Sequence, residues 1–196
     1  MTYKMIVLDL DDTLLQSDGS ISTKTKETLK RAQRIGVKVV LASGRPTFAI
    51  LKIANELELK KFGGFIISFN GARIFDCKFQ KDLYAANITQ NNIWELYDLS
   101  KKFNAYIQTY IGDNIIASQK NKFTDIERQI TGMDIIVPDN FKNYVSQDVV
   151  KAIVMQEPEK LKAIDAKIRP FVNGIMYMTI SKPFFLEFMN VSVIKS

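Results

Sequence analysis

Met5-Ile6-Val7-Leu8-Asp9-Leu10-Asp11-Asp12-Thr13-Leu14-Leu15 is the stretch whose reading decides the fold. Its apolar residues run unbroken from Met5 to Leu8 and stop at Asp9, after which Asp11, Asp12 and the Thr13 hydroxyl follow at once. A short continuous apolar run is the pattern of a strand covered on both faces, and such strands belong to parallel sheets flanked by helices. Ligands of these sheets bind beyond the carboxyl ends of the strands, which puts Asp9 and Asp11 at the mouth of a site. Carboxylates packed this closely repel one another unless a cation offsets them, and hard oxygen donors select Mg²⁺. Phosphate chemistry with a metal is what the pattern implies. An EF-hand loop shares the alternation of Asp9, Asp11 and Thr13, but Leu14 stands where that loop needs a turning glycine and Ser20 where it needs a glutamate. An acidic helix cap at Asp12 or Thr13 is the plain alternative, and a solvated charge run fits poorly directly after a buried strand.

Outward from this stretch, Asp18-Gly19 signals a turn and Ser22 a helix cap. The helix is expected to run to about Ile35, with Leu29, Ala32 and Ile35 on its inner face and Gly36 ending it. Residues 37–41 read as a second apolar strand, and a right-handed crossover sets it parallel to the first. It ends in Ala42-Ser43-Gly44-Arg45-Pro46. Gly44 lets backbone approach a ligand closely, Ser43 offers a hydroxyl and Arg45 a guanidinium beside Asp9. Pro46 suits the first turn of a helix to about Lys61, whose amino end favours anions and whose Phe48, Leu51 and Leu57 face inward. Ser-Gly before Pro is also ordinary turn chemistry. Residues 65–69 make a third apolar strand, and Asn70-Gly71 opens a hairpin through Phe79.

From about Tyr84 the pattern changes to mixed helices and strands. Thr89 caps a helix carrying Ile93, Leu96 and Phe103, and short strands are expected at 105–110 and 114–117. A less regular stretch spans 121–143, and a strand is expected at 149–155. Pro158 starts a helix with Leu161, Ile164, Ile168 and Phe171 inward, and strands follow at 175–180 and 184–189. Trp94 and the other aromatics of this part read as core.

The chain has 196 residues, 46% of them hydrophobic and 24% charged, which is ordinary globular material. No apolar stretch is long enough to cross a bilayer and the first residues lead straight into a strand, so a cytoplasmic location and no membrane partner are expected. The formal charge of +6 comes from dispersed lysines without interleaved stacking aromatics, which argues against a nucleic-acid partner. Histidine is absent, which removes Ser-His-Asp and Cys-His catalysis and His-ligated zinc. Cys77, the single cysteine, sits in an expected turn between Asp76 and Lys78.

DLDDTLL at 9–15 resembles the first motif of the haloacid dehalogenase-like hydrolases, and with LASGRP at 41–46 and FNGA at 69–72 the chain looks like their Cof-type phosphatase branch. The resemblance implies an α/β fold: a Rossmann-like parallel-sheet core over residues 1–83, to which 184–196 return, with an inserted α/β cap over 84–183. It implies a Mg²⁺-dependent phosphatase of small phosphorylated metabolites such as sugar phosphates, with Asp9 the nucleophile and Asp11 the general acid and base. The metal would take the Asp9 carboxylate and the Asp11 backbone carbonyl. Ser43, with Gly44 and Arg45, holds the transferring phosphoryl group, and Asn70 lies near the substrate. FLEFMNVSVIKS at 185–196 places Lys195 at the distance of the family's charge-balancing lysine, although the family's Gly-Val-Ser-Lys-Gly is here Ser192-Val193-Ile194-Lys195-Ser196. The family continues with further core strands and an acidic Gly-Asp…Asn-Asp loop, so the resemblance implies a core that is incomplete and truncated at its C-terminal side. An exposed sheet edge would then invite self-association. A non-catalytic remnant that binds phosphate or a partner, and a phosphomutase using the same two aspartates, are the other functions considered.

Overall fold

Three parallel strands build the first unit of a computed structural model that describes residues 3–193. They are β1 (Met5–Asp9), β2 (Lys38–Ala42) and β3 (Phe65–Ser68). Asp9 pairs with Ala42 and Ala42 with Ile67, so the carboxyl ends of the three strands lie side by side. Antiparallel strands β4 (Arg73–Asp76) and β5 (Lys81–Ala85) complete a sheet of order β1-β2-β3-β4-β5.

Helix α1 (Thr23–Arg34) crosses from β1 to β2, and the Ser22 Oγ caps it by accepting the Thr25 N–H at 3.1 Å. Its inner face differs from the expectation. Leu29 is buried, but Ile35 is 83% exposed just past the helix end, and the buried position is Gln33, whose Nε2 donates to the Leu57 carbonyl at 2.8 Å. The expected single helix to Lys61 is two: α2 (Thr47–Glu56) and α3 (Leu59–Phe62), broken where Glu58 takes a left-handed conformation. Ile50, Ile53 and Leu57 form the buried stripe, while Phe48 is turned outward. These side chains close with Leu10, Val39, Leu41 and Ile66 into one core.

β1 is not the doubly covered strand its apolar run suggests. Among the described residues it is the first strand of the sheet and pairs on one flank, and Met5 and Val7 stay about half exposed at 50% and 55%.

The chain divides into two compact units at Ala85–Ala86, two residues later than expected. The second unit carries a six-stranded sheet of order β10-β11-β9-β6-β7-β8. Its elements in chain order are α4 (Gln90–Lys102), β6 (Tyr106–Ile111), β7 (Asn114–Ala117), α5 (Lys122–Thr131), β8 (Asp134–Ile136), α6 (Phe141–Tyr144), β9 (Lys151–Met155), α7 (Pro158–Val172), β10 (Met176–Lys182) and β11 (Phe185–Asn190). Residues 184–193 therefore do not return to the first unit. β11 pairs antiparallel with both β9 and β10 and buries Phe185, Leu186 and Phe188. Residues 194–196 lie outside the described residues. Helices α4, α6 and α7 cover one face around Ile93, Leu96, Phe141, Leu161 and Ile168. Phe171, expected inside, is 55% exposed, and Val172 takes the buried place. Trp94 is partly buried and donates its indole N–H to the Val145 carbonyl at 2.9 Å. No helix among the described residues is long and apolar enough to cross a membrane.

Candidate active site

The site lies in the first unit, at the carboxyl ends of β1, β2 and β3. After Asp9 the chain turns tightly: Leu10 and Leu14 are buried as anchors, the Leu15 N–H reaches back to the Leu10 carbonyl at 2.9 Å, and Asp12 adopts φ 59° and ψ 11°. Aspartate tolerates that left-handed position better than most residues. The turn leaves Asp9, Asp11 and Asp12 exposed. Among the described residues no hydrogen bond or ion pair reaches the Asp9 carboxylate.

Beyond β2, residues 43–45 are stitched to the end of β3. The Ser43 N–H donates to the Ile67 carbonyl at 2.9 Å, the Phe69 N–H to the Arg45 carbonyl at 3.0 Å, and the Asn70 N–H to the Ser43 carbonyl at 3.3 Å. Ser43 is buried, and its Oγ accepts the Arg45 N–H at 3.1 Å. Asn70 is left-handed, with φ 57°. A Cβ on Gly44 would lie 2.6 Å from the Asn70 Oδ1, so what the glycine admits is the Asn70 side chain. Sequence reasoning gave Gly44 close approach to a ligand instead. Pro46 occupies the cap position of α2, whose first N–H groups offer a partial positive charge to an anion.

Arg45 is placed differently from the expectation. Its guanidinium grips Asp11 rather than standing free beside Asp9, with Nε donating to Oδ2 at 3.1 Å and Nη2 to Oδ1 at 2.5 Å. Lys195 lies outside the described residues. Sequence reasoning also passed over Thr47 and Ser68, two buried residues whose hydroxyls pair at 2.7 Å and tie the start of α2 to the end of β3. A threonine straight after Pro46 and a serine two residues before Asn70 were the available signals. Cys77 is buried, which pushes its thiol up to about 12, so it takes no part as a nucleophile near neutral pH.

The donors suit Mg²⁺ in kind. Asp9 offers a hard oxygen ligand with no partner among the described residues, and Mg²⁺ characteristically keeps several waters and takes one or two carboxylates together with substrate phosphate. Among the described residues no group of three or more His, Cys, Asp or Glu converges.

Comparison with known proteins identifies the family of the chain. The family model described as haloacid dehalogenase-like hydrolase matches residues 6–196. A crystal structure of a haloacid dehalogenase-like hydrolase from Bacteroides thetaiotaomicron superposes with a TM-score of 0.94 at 33% identity, covering 99% of this chain and 73% of that one. A Streptococcus pyogenes protein named as a phosphatase is 28% identical over 199 residues, which span 100% of this chain and 73% of its own. A Bacillus subtilis 5-amino-6-(5-phospho-D-ribitylamino)uracil phosphatase is 29% identical over 157 residues, covering 76% of this chain and 58% of that one. With its α/β fold, its strand-end aspartates and a family match over nearly its whole length, the chain belongs to the haloacid dehalogenase-like hydrolases.

Proposed function

We propose that the chain hydrolyses phosphate monoesters of small metabolites, sugar phosphates among them, through an aspartyl-phosphate on Asp9. The observation that carries this reading is the meeting of Asp9, Ser43 and Asn70 at the ends of three adjacent parallel strands, with no partner for the Asp9 carboxylate among the described residues. The Bacillus subtilis relative, whose named substrate is a phosphate ester on a ribityl chain, supports the substrate class.

In the first half-reaction an Asp9 oxygen attacks phosphorus in line and the P–O bond to the alcohol breaks. Asp11 gives a proton to the departing alkoxide. In the second, Asp11 takes a proton from water, the water oxygen attacks phosphorus, and Asp9 is restored with release of inorganic phosphate. The Ser43 hydroxyl and the start of α2 hold the phosphoryl oxygens through this exchange. When bound, Mg²⁺ held by the Asp9 carboxylate and the Asp11 backbone carbonyl supplies screening between anionic nucleophile and anionic phosphate. On this reading the second unit is the cap of the family, and it selects among leaving groups.

Hydrolysis of a generic aryl phosphate with and without Mg²⁺, by the chain and by Asp9→Asn, tests the proposal. Metal-dependent turnover that disappears in Asp9→Asn is the expected result. Equal turnover by the variant overturns the nucleophile assignment, and no turnover by the folded parent favours a non-catalytic phosphate-binding role.

A further inference from the structure

Asp11 is given proton transfer, yet both of its carboxylate oxygens are already occupied by Arg45, through Nε at 3.1 Å and Nη2 at 2.5 Å. A carboxylate held in such a fork offers its best-directed lone pairs to the guanidinium, not to a leaving group or a water. The partners are 34 residues apart and meet because β1 and β2 end in register. Arg45 springs from the same loop as Ser43, whose hydroxyl it touches through its own N–H. The guanidinium is thus rooted at the place where a phosphoryl group is expected, and its fork fits phosphate as well as it fits carboxylate.

We propose that Arg45 is a latch that exchanges partners. In the ligand-free protein it holds Asp11; a phosphoryl dianion arriving between Asp9 and Ser43 draws the guanidinium to itself and releases Asp11 to give and take its proton. No proton moves in the exchange: one ion pair opens and another closes, and the dianion carries the greater charge. The Arg45 and Asp11 side chains are 25% and 54% exposed, so the pair is screened by water and weak enough to be displaced. This inference rests on the phosphatase reading and adds to it a link between phosphate binding and the availability of the acid. Arg45 thus has two parts here: it binds the phosphoryl group directly, and by leaving Asp11 it frees that carboxylate.

The test is binding of inorganic phosphate, measured by calorimetry in one Mg²⁺-containing buffer, to the parent chain, Asp11→Asn, Arg45→Ala and the double variant. Removing the competitor in Asp11→Asn should tighten phosphate by up to about fivefold, the factor that an exposed ion pair supports. Arg45→Ala should weaken it by about tenfold or more, as loss of a charge-assisted bond does. The decisive arm is the double variant, where Asp11→Asn should bring no tightening because there is no guanidinium left to release. Equal tightening with and without Arg45 means that Asp11 merely repels the anion, and it overturns the latch while leaving the phosphate site in place. No effect of Asp11→Asn in either background also overturns it. A folded parent that binds no phosphate overturns the phosphatase reading together with the latch.

Discussion

Replacing Gly44 by alanine should damage activity far more than stability. The added Cβ would sit 2.6 Å from the Asn70 Oδ1, about 0.8 Å inside the 3.4 Å at which ordinary contact begins. The Asn70 backbone cannot yield easily, since its N–H is tied to the Ser43 carbonyl and its φ of 57° follows a buried Phe69 at 52°. The amide must therefore rotate, at an off-rotamer cost of about 0.5–1.5 kcal/mol. Gly44 has no positive φ, so alanine fits the backbone and recovers roughly 0.4–1 kcal/mol through the unfolded chain. The two terms nearly cancel, and Tm should move by no more than about 4 °C in a chain of this size. A substrate contact displaced by close to 1 Å is another matter, and can cost on the order of 10²-fold in rate. We expect kcat/KM for an aryl phosphate to fall about 10- to 100-fold, with the double variant Gly44→Ala/Asn70→Ala no worse than Asn70→Ala alone. Full kcat/KM in folded Gly44→Ala would show that the Asn70 side chain does not touch substrate, and a Tm loss beyond about 8 °C would assign the glycine to packing instead.

Gly64→Ala should do the reverse, because its Cβ would meet the Val39 carbonyl oxygen at 2.6 Å and the Leu59 Cδ2 at 2.9 Å; denaturant titration should register a loss of about 1–3 kcal/mol from overpacking. Lys151 and Glu187 pair at 2.8 Å with side chains only 4% and 8% exposed. Lys151→Met should cost about 3–5 kcal/mol by taking the cation away from a buried carboxylate, and Lys151→Met/Glu187→Leu should recover part of that loss, both read from urea unfolding. Burial holds the Glu127 carboxyl above its usual 4.5, against the lowering pull of the Tyr110 hydrogen bond and of Lys151. The folded state binds that proton more tightly than the unfolded chain, so the stability it contributes is present below about pH 4.5 and is lost as pH rises through the higher folded value. The stability difference between parent and Glu127→Gln should therefore change in the parent's disfavour over that window, and a difference that is flat with pH would sink the assignment.

The parallel order of β1, β2 and β3 was readable because each is a short apolar run ending in polar residues, and the helices between them begin with Ser22 and Pro46. Where the reading failed, polarity inside the protein was the cause. Helix α5 passed as irregular because its buried face is Phe123, Thr124, Glu127 and Thr131, a stripe with little hydrophobic period. Its start was equally disguised, since Asn121 and Thr124 form the capping box without the usual glutamate or glutamine. The same holds for the sheet face that α5 meets. Gln108 pairs with Ile153 and Glu187 pairs with Ile153, so the Gln108 and Glu187 side chains share a face opposite the apolar core, near Tyr110, whose hydroxyl donates to Glu127 at 2.6 Å. Alternation told which strands existed; it did not tell that their second face was buried and charged.

At the candidate site, the sequence singles out residues but does not say which of them touch. Asp9, Asp11, Ser43, Arg45 and Asn70 are named by position at strand ends, and topology alone brings strand ends together. Which carboxylate Arg45 takes is a finer matter. It depends on the left-handed Asp12, which turns the chain after β1, and on the three backbone bonds that fix residues 43–45 against β3. Neither has a one-letter signature. The consequence bears on the proposed mechanism: the motif points to Asp11 for the proton, whereas the fold has that carboxylate bound in the Arg45 fork. On the proposed reading the motif gives Asp11 its role, and the contact with Arg45 that it must first give up sets its readiness to act.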